Sequence, residues 1–257
     1  MKKPFIYITL LFFILIFILG GVFVILKKSH YVVIPQAEKE RLKATVVDPR
    51  LSSQKQKLSQ KEILLPKKFK LEVPFTSQAP GMKAPWPEDF NNACEEVAII
   101  IVDAYIKGRE LTPSFVKSET LRMLDFQEEK YGERNKDLEA EEVARLAEDF
   151  YDYKNVKFSY DISLEDIRRE IFAGNPVILP AAGRKLSNPH YSGEGPRYHM
   201  LVAIGWNDEK GEIITNDPGT KYGESYSYKY NVLLNALHEW NGGDVENGRS
   251  AIIIFQK

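Results

Sequence analysis

One cysteine occurs in 257 residues, Cys94, at the head of an apolar run, with Gln78 before it and His199 and Asp217 after it. A cysteine attacks as thiolate, and the unpaired N–H groups at a helix start favour negative charge, so this position predicts a thiol of lowered pKa. His199 would act as base, Asp217 would orient its imidazole, and Gln78 would donate a hydrogen bond to an oxyanion. Together these four side chains supply the parts for acyl transfer to water. The thiolate attacks a peptide or isopeptide carbonyl, His199 protonates the leaving amine, and water releases the acyl group. Each residue also has a plainer reading. Cys94 and His199 would then be core packing, Asp217-Pro218-Gly219 an ordinary turn, and Gln78 a solvated loop residue.

The elements that must position these groups are legible in outline. Ala93 to Lys107 is apolar almost all round, which predicts a core helix ended by Gly108. Thr112-Pro113 reads as a cap and first helical residue, Asp137 opens an amphipathic stretch through Phe150, and Ser163 with Asp166 forms a capping box ahead of Ile167. His238 and Trp240 are assigned to a further helix. Strands are predicted at Pro176–Ala181, Tyr198–Trp206, Glu212–Asn216 and Ala251–Phe255. Helices first and strands later argue for an α+β domain, with an antiparallel sheet packed on the amino-terminal helices. If Trp206 pairs with Glu212 across the polar turn, Leu201 faces Asp217 and His199 becomes its diagonal neighbour, whereas a slip of one residue would reverse the facing.

The stretches VPFTSQAP at 73–80, ACEEVAIII at 93–101, GNPVILP at 174–180, YHMLVAIGW at 198–206 and TNDPG at 215–219 resemble the double-glycine-peptidase-like domains, family thirty-nine of the cysteine peptidases. The resemblance implies a papain-like fold, with Cys94 as nucleophile, His199 as base, Asp217 as its orienter and Gln78 as oxyanion donor. Leader-processing members of that family carry small residues after the cysteine and are fused to an exporter. This chain has Glu95 and Glu96 there and no ATPase segment, so their specificity for paired glycines is not carried over. An acyltransferase with the same triad, and an inactive module that binds peptides or wall polymers, are the rival functions.

Charge divides the chain into unlike parts. Phe5 to Leu26 is a run of 22 residues without a charge, flanked by lysines, and reads as one uncleaved membrane-spanning helix. Residues 31–68 hold 9 basic and 4 acidic residues, with scattered prolines, as suits an extended stalk. Residues 69–257 hold 22 basic and 32 acidic residues, and are long enough to bury one sizeable core. The expected organisation is an anchor at 1–30, a stalk at 31–68 and a peptidase-like domain at 69–257, held on the extracytoplasmic side. An acidic domain without a basic stripe or a GxxxxGK loop argues against nucleic acid and nucleotide partners, leaving a peptide or protein substrate. One cysteine and four scattered histidines give no zinc spacing and no internal disulfide, so no metal or cofactor is expected.

Overall fold

The computed structural model describes residues 65–256, and the chain separates into two units, Met1–Ile63 and Leu64–Lys257. The expected anchor, and the stalk up to residue 64, lie outside the described residues. No helix among the described residues is long and apolar enough to cross a membrane.

The folded unit begins before the expected boundary at Phe69. The Trp206 indole N–H donates to the Pro66 carbonyl at 3.0 Å, and β1 (Lys68–Lys70) pairs with the far end of β4 (His199–Asn207). The other strands are β2 (Val156–Tyr160), β3 (Val177–Ala181), β5 (Glu212–Asn216), β6 (Tyr226–Lys229) and β7 (Ala251–Phe255). They form one antiparallel sheet in the order β2-β7-β3-β4-β5-β6, with β1 added on β4.

The three strands β7, β3 and β4 are apolar on both faces because helices cover both. Ile178, Met200, Val202, Ile253 and Phe255 pack against α2 (Cys94–Lys107), α3 (Pro113–Tyr131) and α4 (Ala140–Tyr151). Leu179, Leu201, Ala203 and Ile254 face α5 (Leu164–Phe172) and α6 (Tyr230–Ala236) instead. The α+β class with an antiparallel sheet is therefore observed, but the helices are divided between two faces rather than stacked on one.

Local chemistry explains where the helices begin and end. A four-residue helix, α1 (Glu88–Asn91), precedes α2. Gly108 closes α2 in the left-handed region, φ 63°, which costs a glycine little. The Thr112 hydroxyl caps α3 by accepting from the Phe115 N–H, and Ser163 and Asp166 cap α5 reciprocally. Helix α4 starts at Ala140 rather than near Asp137, because Glu139 and Glu142 form the capping box and the Leu138 N–H is already given to Glu95. His238 and Trp240 fall beyond the end of α6. Their segment is extended, with Leu237 bridged to Ala181, so the helix expected there stops at Ala236.

Candidate active site

His199 opens β4 and Asp217 immediately follows β5, so the β4–β5 hairpin decides whether they meet. At the turn the pairing is Trp206 with Ile213 and Asn207 with Glu212, one residue away from the expected register. Between Ala203 and Gly205 the register shifts, leaving Ile204 as the extra residue of a bulge, and Val202 then pairs with Asn216. The bulge also turns Trp206 to the opposite face from Ile204. Beyond it the register is the one that makes His199 and Asp217 diagonal neighbours, and the imidazole Nε2 lies 2.8 Å from Asp217 Oδ1.

The turn after Asp217 is built tightly around this pair. The Gly219 N–H donates to Oδ1 at 3.0 Å, and the Asp217 N–H donates to the Gly223 carbonyl at 3.0 Å. A Cβ on Gly219 would stand 2.9 Å from His199 Nε2 and 3.1 Å from the Tyr191 ring, so only glycine fits without pushing the imidazole. The other carboxylate oxygen, Oδ2, accepts from the Tyr228 hydroxyl at 2.5 Å, the Tyr191 hydroxyl at 2.7 Å and Asn188 Nδ2 at 3.1 Å.

These partners determine the ionisation of Asp217. Burial alone would raise the Asp217 pKa, but the charge and hydrogen bond of His199, with the bonds from Tyr228 and Tyr191, outweigh it and hold the group at about 2. An ionised carboxylate can only accept, so Nε2 is the ring nitrogen that donates to Oδ1, and in a neutral imidazole the lone pair then falls on Nδ1.

Cys94 is the first residue of α2, as expected, yet its surroundings reverse the expected ionisation. Its Sγ–H donates to Glu95 Oε2 at 3.0 Å, and Glu95 Oε1 accepts from the Leu138 N–H at 3.1 Å. Burial, then the charge of Glu95 and the hydrogen bond to it, then Glu96 and Asp137, all push the thiol well above its ordinary value. Two buried acids in the first turn thus override the helix start that would have favoured a thiolate. Glu95 is itself raised well above the carboxylate range by burial and by Glu96.

Gln78 connects the two halves. Its main-chain N–H donates to the Pro218 carbonyl at 2.8 Å, while its side-chain Nε2 donates to the carbonyls of Phe90 at 2.9 Å and Asn91 at 3.0 Å. The residue after Asp217 and a residue three before Cys94 are therefore both held by one glutamine. Tyr198, the neighbour of His199, packs in the same cluster as Cys94, and its hydroxyl donates to the Leu138 carbonyl at 2.8 Å. Both N–H groups of the Gln78 amide are engaged on main-chain carbonyls, so in this arrangement neither is offered to an oxyanion. The structure thus joins His199 to Asp217 and ties Gln78 to both segments, whereas the thiol bonds Glu95 and not His199.

Some of these roles left no spacing signal. Asn188 and Tyr191 come from one loop and Tyr228 from a strand, and only their convergence on Asp217 marks them. Glu95 and Glu96 did carry a signal: two acids at the head of a helix with no polar face must be buried. His190 is exposed, with its ring against Tyr222 at 4.7 Å, and its N–H holds Asn188 Oδ1 at 3.0 Å. His238 bonds the Gly248 carbonyl through Nδ1 at 2.7 Å, away from this cluster.

The Peptidase_C39 like family matches the chain over residues 70–242. Among solved structures, one titled a C39-like peptidase from Bacillus anthracis is similar at 13% identity and a TM-score of 0.48, covering 74% of this chain and 98% of that one. Xylellain, a cysteine protease from Xylella fastidiosa, is similar at 13% identity and a TM-score of 0.30, covering 75% of this chain and 87% of that one. No curated protein matches.

Proposed function

Because the chain belongs to the Peptidase_C39 like family, we propose that it is a cysteine peptidase-like hydrolase that cleaves peptide or isopeptide bonds through a thioacyl-enzyme on Cys94. The observation that carries this reading is the buried His199–Asp217 pair, 2.8 Å apart, which presents Nδ1 as the free base of an imidazole with a fixed tautomer.

The resting thiol must leave Glu95 Oε2 and give its proton to Nδ1. The thiolate then attacks the carbonyl carbon, and an unpaired N–H at the start of α2 receives the oxyanion, joined by Gln78 Nε2 once it releases a main-chain carbonyl. The imidazolium protonates the amine as the C–N bond breaks. Water attacks the thioester, His199 takes its proton, and the C–S bond breaks to restore the thiol.

Cys94→Ala is expected to abolish cleavage in a peptide-library screen while leaving the circular dichroism unchanged. Unchanged turnover in the purified variant would end the hydrolase reading. The neutral, Glu95-bonded thiol favours a second reading, an inactive peptide-binding or wall-binding module. Slow alkylation of the folded protein at neutral pH supports that binder, rapid alkylation supports the enzyme, and product that depends on an added amine identifies an acyltransferase.

The proposal extends to location. The 22 uncharged residues from Phe5 to Leu26 support a single span, and the extracytoplasmic side is favoured because a long domain that follows one amino-terminal span crosses largely regardless of nearby charge. Resistance to alkaline extraction and digestion of the domain by protease added to intact cells are the expected results; release by alkali would remove the anchor, and protection from protease would reverse the sidedness.

A further inference from the structure

The partners of Asp217 go beyond what an imidazole needs. Orienting the ring takes one carboxylate oxygen, Oδ1, which His199 and the Gly219 N–H share. The second oxygen accepts three donors, and they are linked to one another. Asn188 Nδ2 also donates to the Tyr228 hydroxyl at 2.7 Å, and the Tyr191 and Tyr228 hydroxyls stand 3.4 Å apart. The Asn188 amide is held the right way round by the His190 N–H on its Oδ1. Tyr191 does a second thing: its ring meets the His199 ring edge-on, with centroids 5.5 Å apart and planes at 78°. The groups facing the pair are thus Tyr191 and Asn188 from the segment before β4, Tyr228 from β6, and the main chain of Gly183 and Gly219.

We infer that Tyr228, Tyr191 and Asn188 form a donor cage that draws charge onto Oδ2 and so moderates the pull of Asp217 on the His199 proton. This rests on the hydrolase reading for its kinetic consequence, though not for its geometry. Hydrogen bonds to a carboxylate compete for the same charge, so each hydroxyl on Oδ2 weakens the Nε2–H···Oδ1 bond. A weaker bond leaves the imidazolium a stronger acid. That matters when His199 must hand a proton to a leaving amine, and not when the thiolate meets an alkylating reagent that needs no proton. Tyr191 and Tyr228 are therefore positioning residues that tune the acid step through Asp217.

The test compares wild type with Tyr228→Phe, Tyr191→Phe and the double variant. Phenylalanine keeps the ring and removes one oxygen, and Tyr191 lies nearer the surface should the Tyr228 variant fold poorly. In proton–nitrogen spectra of the histidine rings, the Nε2–H resonance of His199 is expected to move downfield in each single variant and further in the double. For an amide substrate, kcat is expected to fall about three- to tenfold with KM unchanged, while alkylation of Cys94 is not slowed. Unmoved resonances in both single variants would overturn the cage. Upfield movement with slower alkylation would also overturn it, since that is what loss of a merely structural clamp would do. Downfield movement in a protein that cleaves no peptide would uphold the cage and fail the hydrolase reading, so the two are separable.

Discussion

Asp217 and Glu95 are carboxylates with 0% exposure in the same small domain, one on the imidazole side of the site and one on the thiol side, and they ionise in opposite directions. Asp217 receives five donors, one of them the imidazole, and is held at about 2. Glu95 receives a weak thiol donor and one main-chain N–H, stands beside Glu96, and is raised. Burial penalises both charges alike, so the number and charge of the donors decide the outcome. One half of the site is built to stay charged; the other resists charge, and the thiol shares its fate.

The comparison breaks most sharply at Asp217. Asp217→Ala removes the acceptor that fixes the Nε2–H tautomer, and kcat on a peptide substrate is expected to fall by about 10³- to 10⁴-fold with little change in KM. A fall below tenfold would mean that the pair does not act as a unit.

Next in size is the pH dependence of stability. Burial, opposed by the Gln127 hydrogen bond, raises Glu96 from 4.5 to about 7. In the unfolded chain it loses its proton first, so stability is expected to fall as pH rises from 4.5 through 7, by up to about 3 kcal/mol. Asp217 has the opposite sign. Its contribution is present above 3.8 and is lost as pH falls toward 2. Thermal melts of wild type and Glu96→Gln between pH 4 and pH 8 check the first part; an unchanged slope in the variant would assign the dependence elsewhere.

The smallest effect sharpens the thiol side. Glu95→Gln keeps a hydrogen-bond acceptor for Sγ and removes the carboxyl whose ionisation would oppose that of the thiol, so the thiol pKa falls and alkylation at neutral pH is expected to quicken by about tenfold. Slower alkylation in that variant would instead make Glu95 a base for the thiol.

How much of this the sequence carried depends on the range of the interaction. Helix α2 and its Gly108 stop, the Thr112-Pro113 start, the Ser163–Asp166 box and strands β5 and β7 follow from signals within a few residues. Strands β1, β2 and β6 are short and mix charged with apolar residues, and they exist because a neighbouring strand edge needed pairing, which no local pattern announces. The His199–Asp217 pair was legible because both lie on one hairpin. The donors on Asp217 were not, since residues 188, 191 and 228 meet only after the sheet has formed. The place of Cys94 at a helix start was legible but its ionisation was not, because the helix start argued for a thiolate while the fold buried Glu95 beside it.

The extra residue at Ile204 works like a slip joint within the β4–β5 hairpin. The turn end and the His199 end of the same two strands obey different alignments, so the length of the 208–211 turn is mechanically insulated from the imidazole. Gain or loss of a residue in that turn can be taken up at the joint, and the surface loop is free to vary while the His199–Asp217 pair beneath it stays in step.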